Sequence, residues 1–193
     1  MTKWLSHRMV DRGIIKEEEQ ELYQFGICNG MILLLNVVTA LVIGLLTEQL
    51  AVVAVFTLSF MVLRGYTGGY HSDSRIFCYL GSNLVLLVPV YTQAVFYKTS
   101  LAWLLAVLLV SAGIIFLLSP MHSKNRKLDK EEQKHFGRKA RLIAALELAV
   151  LGILWHAGQI PYAYAVYTGI CITALFMLVG KAQLWIQSHT ENG

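Results

Sequence analysis

LAWLLAVLLVSAGIIFLLS, residues 101–119, runs nineteen residues without one charged side chain. A straight membrane-spanning helix needs about 20 apolar residues, and this run supplies them. Working outward, further apolar runs lie near 26–46, 50–63, 80–97, 142–157 and 161–180. The first and last of these are also of full length. The runs at 50–63 and 142–157 are short, so they are expected to borrow flanking residues, tilt, or enter without crossing. The reading is therefore all-α: a polytopic integral membrane protein with about six transmembrane or re-entrant helices. Six spans is the favoured count, with four spans plus two re-entrant segments as the alternative. Composition agrees, since 56% of the 193 residues are hydrophobic and 15% charged, where soluble domains carry closer to a quarter charged. No internal repeat or low-complexity segment is visible, so one membrane domain over 1–193 is expected.

The basic residues are sorted along the chain. Lys3, Arg8, Arg12 and Lys16 precede the first run, and Arg64 and Arg75 follow the second. Eight more, Lys124 to Arg141, fill the segment between the fourth and fifth runs, and Lys181 lies near the end. The 47–49 and AGQIP turns hold none, and Lys98 alone marks the remaining turn. Alternate segments thus carry fifteen of the sixteen Lys and Arg residues. By the positive-inside rule those segments, both termini included, face the cytoplasm. The net charge of +4 is orientation information here and points to a bilayer, with no nucleic acid as partner.

The first 25 residues carry a charged KEEEQE run and lack the apolar core and cleavage site of a signal peptide. They are expected to form a cytoplasmic amphipathic segment: a short helix with Trp4, Leu5, Met9 and Val10 on one side, a break near Gly13, and a second helix from Lys16 into the membrane. The first helix suits either the bilayer interface or solvent.

The polar interruption RGYTGGYHSDSRIFCYLGSN, Arg64–Asn83, is where chemistry concentrates. A thiolate is a strong nucleophile, and a nearby imidazole can take its proton and later protonate a leaving amine. His71 and Cys78 supply those groups. On one continuous helix they would stand about 10 Å apart along the axis, too far for direct proton transfer, so a working pair requires a break. Gly65, Gly68 and Gly69 precede His71, and Ser72, Asp73 and Ser74 are good helix N-caps. A helix is expected to begin near 73–75 and run through Cys78 and Ser82, its positive end favouring a Cys78 thiolate. Cys78 is expected to be a free thiol on the reducing side. A plain structural reading competes with this one, because His, Cys and GG pairs near spans also serve packing.

The order Arg64-x-x-x-Gly68-Gly69-Tyr70-His71, six residues, Cys78, then Ser82, closely resembles the signature of the AgrB family of integral-membrane cysteine endopeptidases. EEEQELYQFGI at 17–27 resembles that family's leader. Ser119-Pro120 followed by Asn125-Arg126-Lys127-Leu128 resembles its central loop, with Lys127 where proline is expected. The resemblance implies that Cys78 is the nucleophile and His71 the general base and acid, with Arg64, Gly68 and Gly69 supporting substrate processing. Ser82 matches a recurring polar position, and Asp73 and Asn83 are candidates for orienting His71. It implies an AgrD-like precursor peptide as substrate, cut on the cytoplasmic side through a thioester and cyclised to a thiolactone quorum-sensing autoinducer. It also implies a homodimer and no cofactor.

Three further features bear on alternatives. The histidines outside the motif have no metal-ligand spacing, so no metal is expected. Cys28 and Cys171 lie in apolar runs and read as small hydrophobes. Glu147 is an isolated carboxylate inside the fifth run, expected to pair with an arginine or to build an inner cavity. The basic segment 120–141 reads as an orienting cytoplasmic loop holding a solvated helix over KLDKEEQKHFGRKAR, 127–141, with modest i,i+4 pairing, and as a place for an acidic precursor tail. A non-catalytic transporter or partner-binding subunit is the competing function, although the internal duplication common in transporters is absent. Another membrane acyltransferase built on the same cysteine is a third.

Overall fold

Every regular element among the described residues is a helix, the form that satisfies all backbone N–H and C=O groups within one segment. The computed structural model describes residues 2–68, 75–121 and 129–190, divided into two units, 1–39 and 40–193.

The first unit holds α1 (Thr2–Asp11), a single 3-10 turn (Glu17–Glu19) and most of α2 (Gln20–Leu46). α1 stops where the chain turns at Gly13, whose φ is +66°, and the Gly13 and Ile14 amides donate to the carbonyls of Val10 and Met9. The break near Gly13 is thus present. Ile15 and Ser6 are buried, and the Gln20 amide donates to the Ser6 hydroxyl at 3.5 Å. Trp4 is exposed, with the Arg8 guanidinium 4.5 Å from its ring.

The second unit contains the end of α2 followed by α3 (Leu50–Thr67), α4 (Arg75–Lys98), α5 (Leu101–Leu118), α6 (Lys130–His156) and α7 (Ile160–Thr190). α7 is the central element and packs against all four of α3 to α6. Its buried face is rich in small residues, Ala163, Ala165, Gly169 and Ala174, which let neighbouring backbones approach closely without a hydrophobic drive between helices. A Cβ on Gly169 would come within 2.5 Å of the Ser59 hydroxyl of α3. That crossing is closed to larger residues.

Five helices among the described residues are long and apolar enough to cross a membrane: 26–46, 50–67, 79–98, 101–118 and 160–186. The short second run does borrow flanking residues, since α3 continues to Thr67. The fifth run, 142–157, borrows too, but from charged sequence: Lys130–His156 is one helix, so the solvated helix expected over 127–141 is present from Lys130 and runs on into the apolar run. That charged half keeps α6 out of the five. Its apolar half nevertheless lies along α5, antiparallel to it. Arg141 meets Phe116 at one end, and Leu151 and Trp155 share a cavity with Leu101, Leu104 and Leu105 at the other.

The second unit therefore has two distinct ends. One gathers the close of α3 and α5 and the middle of α6, with Leu63, Ile115, Ala144, Ile170 and Met177 buried beneath. The other gathers the α2–α3, α4–α5 and α6–α7 turns over Val53, Phe56, Phe96 and Tyr164.

Candidate active site

α3 ends because Gly68 takes φ +71° and ψ −155°, a conformation essentially reserved for glycine. The close approach is equally demanding: a Cβ there would lie 2.6 Å from the Met121 carbonyl oxygen. The Met121 amide donates to the Thr67 carbonyl at 2.9 Å, and Thr67 is fully buried. Gly68 and Met121 are thus locked together, and they are the last described residues before 69–74 and 122–128.

Arg64 folds back over this turn. Its Nη1 donates to the Gly68 carbonyl at 2.9 Å, and its guanidinium lies 5.0 Å from the Phe176 ring of α7. A cation also suits this position electrostatically, at the negative end of α3. The arrangement fixes the takeoff of the segment that leads to His71. Arg64 and Gly68, two of the expected site residues, are brought into direct contact.

Cys78 lies in α4, described from Arg75 onward, and the Ser-Asp-Ser caps expected at 72–74 lie outside the described residues. Ser82 follows four residues later in α4, about 40° around the helix from Cys78, while Asn83 stands about 140° away. The Asn83 side-chain oxygen is buried and accepts no hydrogen bond. Gly69, His71 and Asp73 lie outside the described residues.

Two contributions at this end were not read from sequence. Phe176 belongs to the last apolar run, where an aromatic reads as core, and no local signal ties it to Arg64. The Thr67–Met121 pairing joins backbone atoms, which no side-chain pattern announces. At mid-bundle, Glu147 of α6 accepts a hydrogen bond from Ser59 of α3 at 2.7 Å, so its partner is a hydroxyl rather than an arginine, one of the two alternatives expected. Among the described residues no cluster of His, Cys, Asp and Glu could hold a metal ion.

Comparison with known proteins bears on this geometry. The sequence profile of Accessory gene regulator B matches residues 1–178. The chain belongs to the AgrB family. It is 23% identical over 148 residues to an AgrB-like protein of Clostridium perfringens strain SM101, covering 74% of this chain and 69% of that one. A second AgrB-like protein, from strain 13 of the same species, is 24% identical over 131 residues, 65% of this chain and 61% of the relative. No solved structure matches. Membership together with the apolar helices makes this a multi-pass membrane protein, and it supports a part in processing an agr quorum-sensing autoinducer.

Proposed function

We propose that this AgrB-family protein is a membrane cysteine endopeptidase that removes the C-terminal tail of an AgrD-like precursor peptide. The observation that carries the reading is the family match over 1–178, with the Arg64-x-x-x-Gly68-Gly69-Tyr70-His71 and Cys78 pattern inside it. Cys78 attacks the scissile carbonyl as thiolate, the C–N bond breaks, and His71 passes the thiol proton to the departing amine. The peptide is then held as a thioester on Cys78. A cysteine thiolate within the peptide attacks that thioester, Cys78 leaves as thiolate, and the product is a thiolactone. This exchange trades one thioester for another, so water must be kept out for cyclisation to outrun hydrolysis, and a site at a membrane surface serves that end. Cys78 lies in α4, and the expected helix start near 73–75 would put its positive end close to the thiolate.

In the same reading the protein crosses the membrane six times, acts as a homodimer, and carries the catalytic segment on the cytoplasmic side. The sixth pass is the apolar half of α6, which accompanies α5 along its length.

Co-expression with an AgrD-like precursor carrying an internal cysteine, followed by mass spectrometry of the peptides, tests the proposal. Cys78→Ser and His71→Ala are expected to insert normally and to abolish cleavage, whereas Cys28→Ala and Cys171→Ala leave it nearly unchanged. Normal processing by Cys78→Ser would remove Cys78 as the nucleophile.

A further inference from the structure

Beside the Arg64–Gly68 turn, where α5 ends and α6 turns apolar, lies an open cavity of about 550 Å³. One wall is Leu117, Leu118, Ser119 and Pro120, and the other is the α6 face bearing Lys134, Arg138 and Arg141. The three cations are spaced four and three residues apart, so they stand on one face of the helix. All three are exposed, and no carboxylate is among the residues described as lining the cavity. Arg141 is fixed in place, since its Nε donates to the Phe116 carbonyl at 3.1 Å, and a guanidinium holds four further N–H donors. Gly137 sets the floor: a Cβ there would come within 2.9 Å of Pro120, so α6 and the Ser119–Pro120 segment after α5 meet closely beneath the cations.

The surroundings say what kind of anion fits. Leu117 is 82% exposed and Leu142, next to Arg141, is 61% exposed. Both lie at the ends of apolar runs, so they face hydrocarbon when the protein is in a bilayer. A ligand seated here meets cations on its polar side and lipid-facing leucines on the other. We infer that this groove is a binding site for the headgroup of an anionic phospholipid, with the phosphate on Lys134, Arg138 and Arg141 and the acyl chains running past Leu117 and Leu142. A basic pocket between spanning helices at the level of the headgroups has the character such lipids require. An acidic peptide would satisfy the cations but not the exposed leucines. The inference is independent of the assignment of Cys78.

The test uses the full-length protein in detergent micelles, titrated with phosphatidylglycerol, with phosphatidylcholine and with soluble glycerol phosphate, bound lipid being counted by native mass spectrometry. Phosphatidylglycerol is expected to bind in preference to the other two. Lys134→Gln/Arg138→Gln is expected to weaken it about tenfold or more, two surface cations being lost. Lys139→Gln/Lys98→Gln removes the same two charges away from the groove. Lys139 faces the Tyr66 ring at 5.8 Å, and Lys98 closes α4 at the opposite end. That control is expected to stay within about twofold of the wild type. Equal losses in the two double variants would reduce the effect to diffuse charge and overturn the site. Glycerol phosphate binding as tightly as the lipid, or displacement of phosphatidylglycerol by a glutamate-rich peptide at equal concentration, would also overturn it.

Discussion

A guanidinium can lie flat on an aromatic ring and donate in its own plane to a carbonyl; an ammonium on a flexible stem holds neither geometry well. Arg64 uses both, on Phe176 and on Gly68. Its part in the proposed chemistry is therefore to position the turn before His71. Arg64→Lys is expected to insert normally yet slow precursor cleavage about ten- to hundredfold, the usual scale for a lost charge-assisted bond of ~1.5–3 kcal/mol. Phe176→Leu should slow it about three- to thirtyfold, the range of a cation–π contact, and Phe176→Tyr should restore most of the rate. Cleavage rates from time-resolved mass spectrometry decide the matter: wild-type rates in both Arg64→Lys and Phe176→Leu would make Arg64 a plain topology anchor. Arg64 was legible in the sequence because it belongs to a motif. Phe176 was not, for its contribution depends on α7 crossing α3 over 112 residues of separation, and its own neighbours are uniformly apolar.

The helices carry a second buried polar device where α3, α6 and α7 cross. Ser59 donates to Glu147, and Gly169 leaves the room for that bond. The two partners are unequal. Among the described residues seven threonines in α2, α3, α4 and α7 or at their ends, Thr57 and Thr168 included, return their hydroxyls to the carbonyl four residues back at 2.7–2.8 Å. A serine in α3 deprived of Glu147 has the same recourse, whereas a carboxyl group deprived of Ser59 has no backbone donor within its helix. Ser59→Ala should therefore cost ~1–3 kcal/mol, the penalty for stranding a buried polar group, and Glu147→Leu clearly less. Thermal unfolding in detergent measures both, and the reverse order would contradict the argument. Reading the chain alone singled out Glu147, because a lone carboxylate in an apolar run stands out. Its partner stayed hidden, since serine in a span carries no pattern. A glycine-rich break after α3 was legible, whereas its exact end at Gly68 was not, because the apolar run itself stops at residue 63. The charged helix before 142 was legible too, but its unbroken continuation into 142–157 was not, because the change from mixed charge to apolar residues reads as a loop meeting a span.

At the scale of the whole molecule, charge and packing describe the same alternation by independent means. Fifteen of the sixteen Lys and Arg residues fall in alternate segments. The structure brings two of those segments together through Gly68 and Met121, while Phe96 and Trp155, beside the two turns poor in cations, touch at the other end, 6.2 Å between ring centroids. A chain that passed only five times would put Lys181 and the α1 cations on opposite sides, breaking the pattern. Six passes keep it, and they need α6 to cross beside α5 although its charged half disguises it. In the proposed topology Cys78, in α4, is on the cytoplasmic side, with Cys28 and Cys171 within their apolar runs. On Cys28→Ala/Cys171→Ala protein, a membrane-impermeant maleimide is expected to leave Cys78 unmodified in intact cells and to modify it in inverted vesicles. A single cysteine introduced at Gln159 in a Cys78→Ser background should show the opposite pattern, because Gln159 sits in the α6–α7 turn at the far end. If both positions react from the same side, α6 does not cross. If Cys78 reacts in intact cells, the orientation is inverted, and cleavage of a precursor on the cytoplasmic face cannot use it.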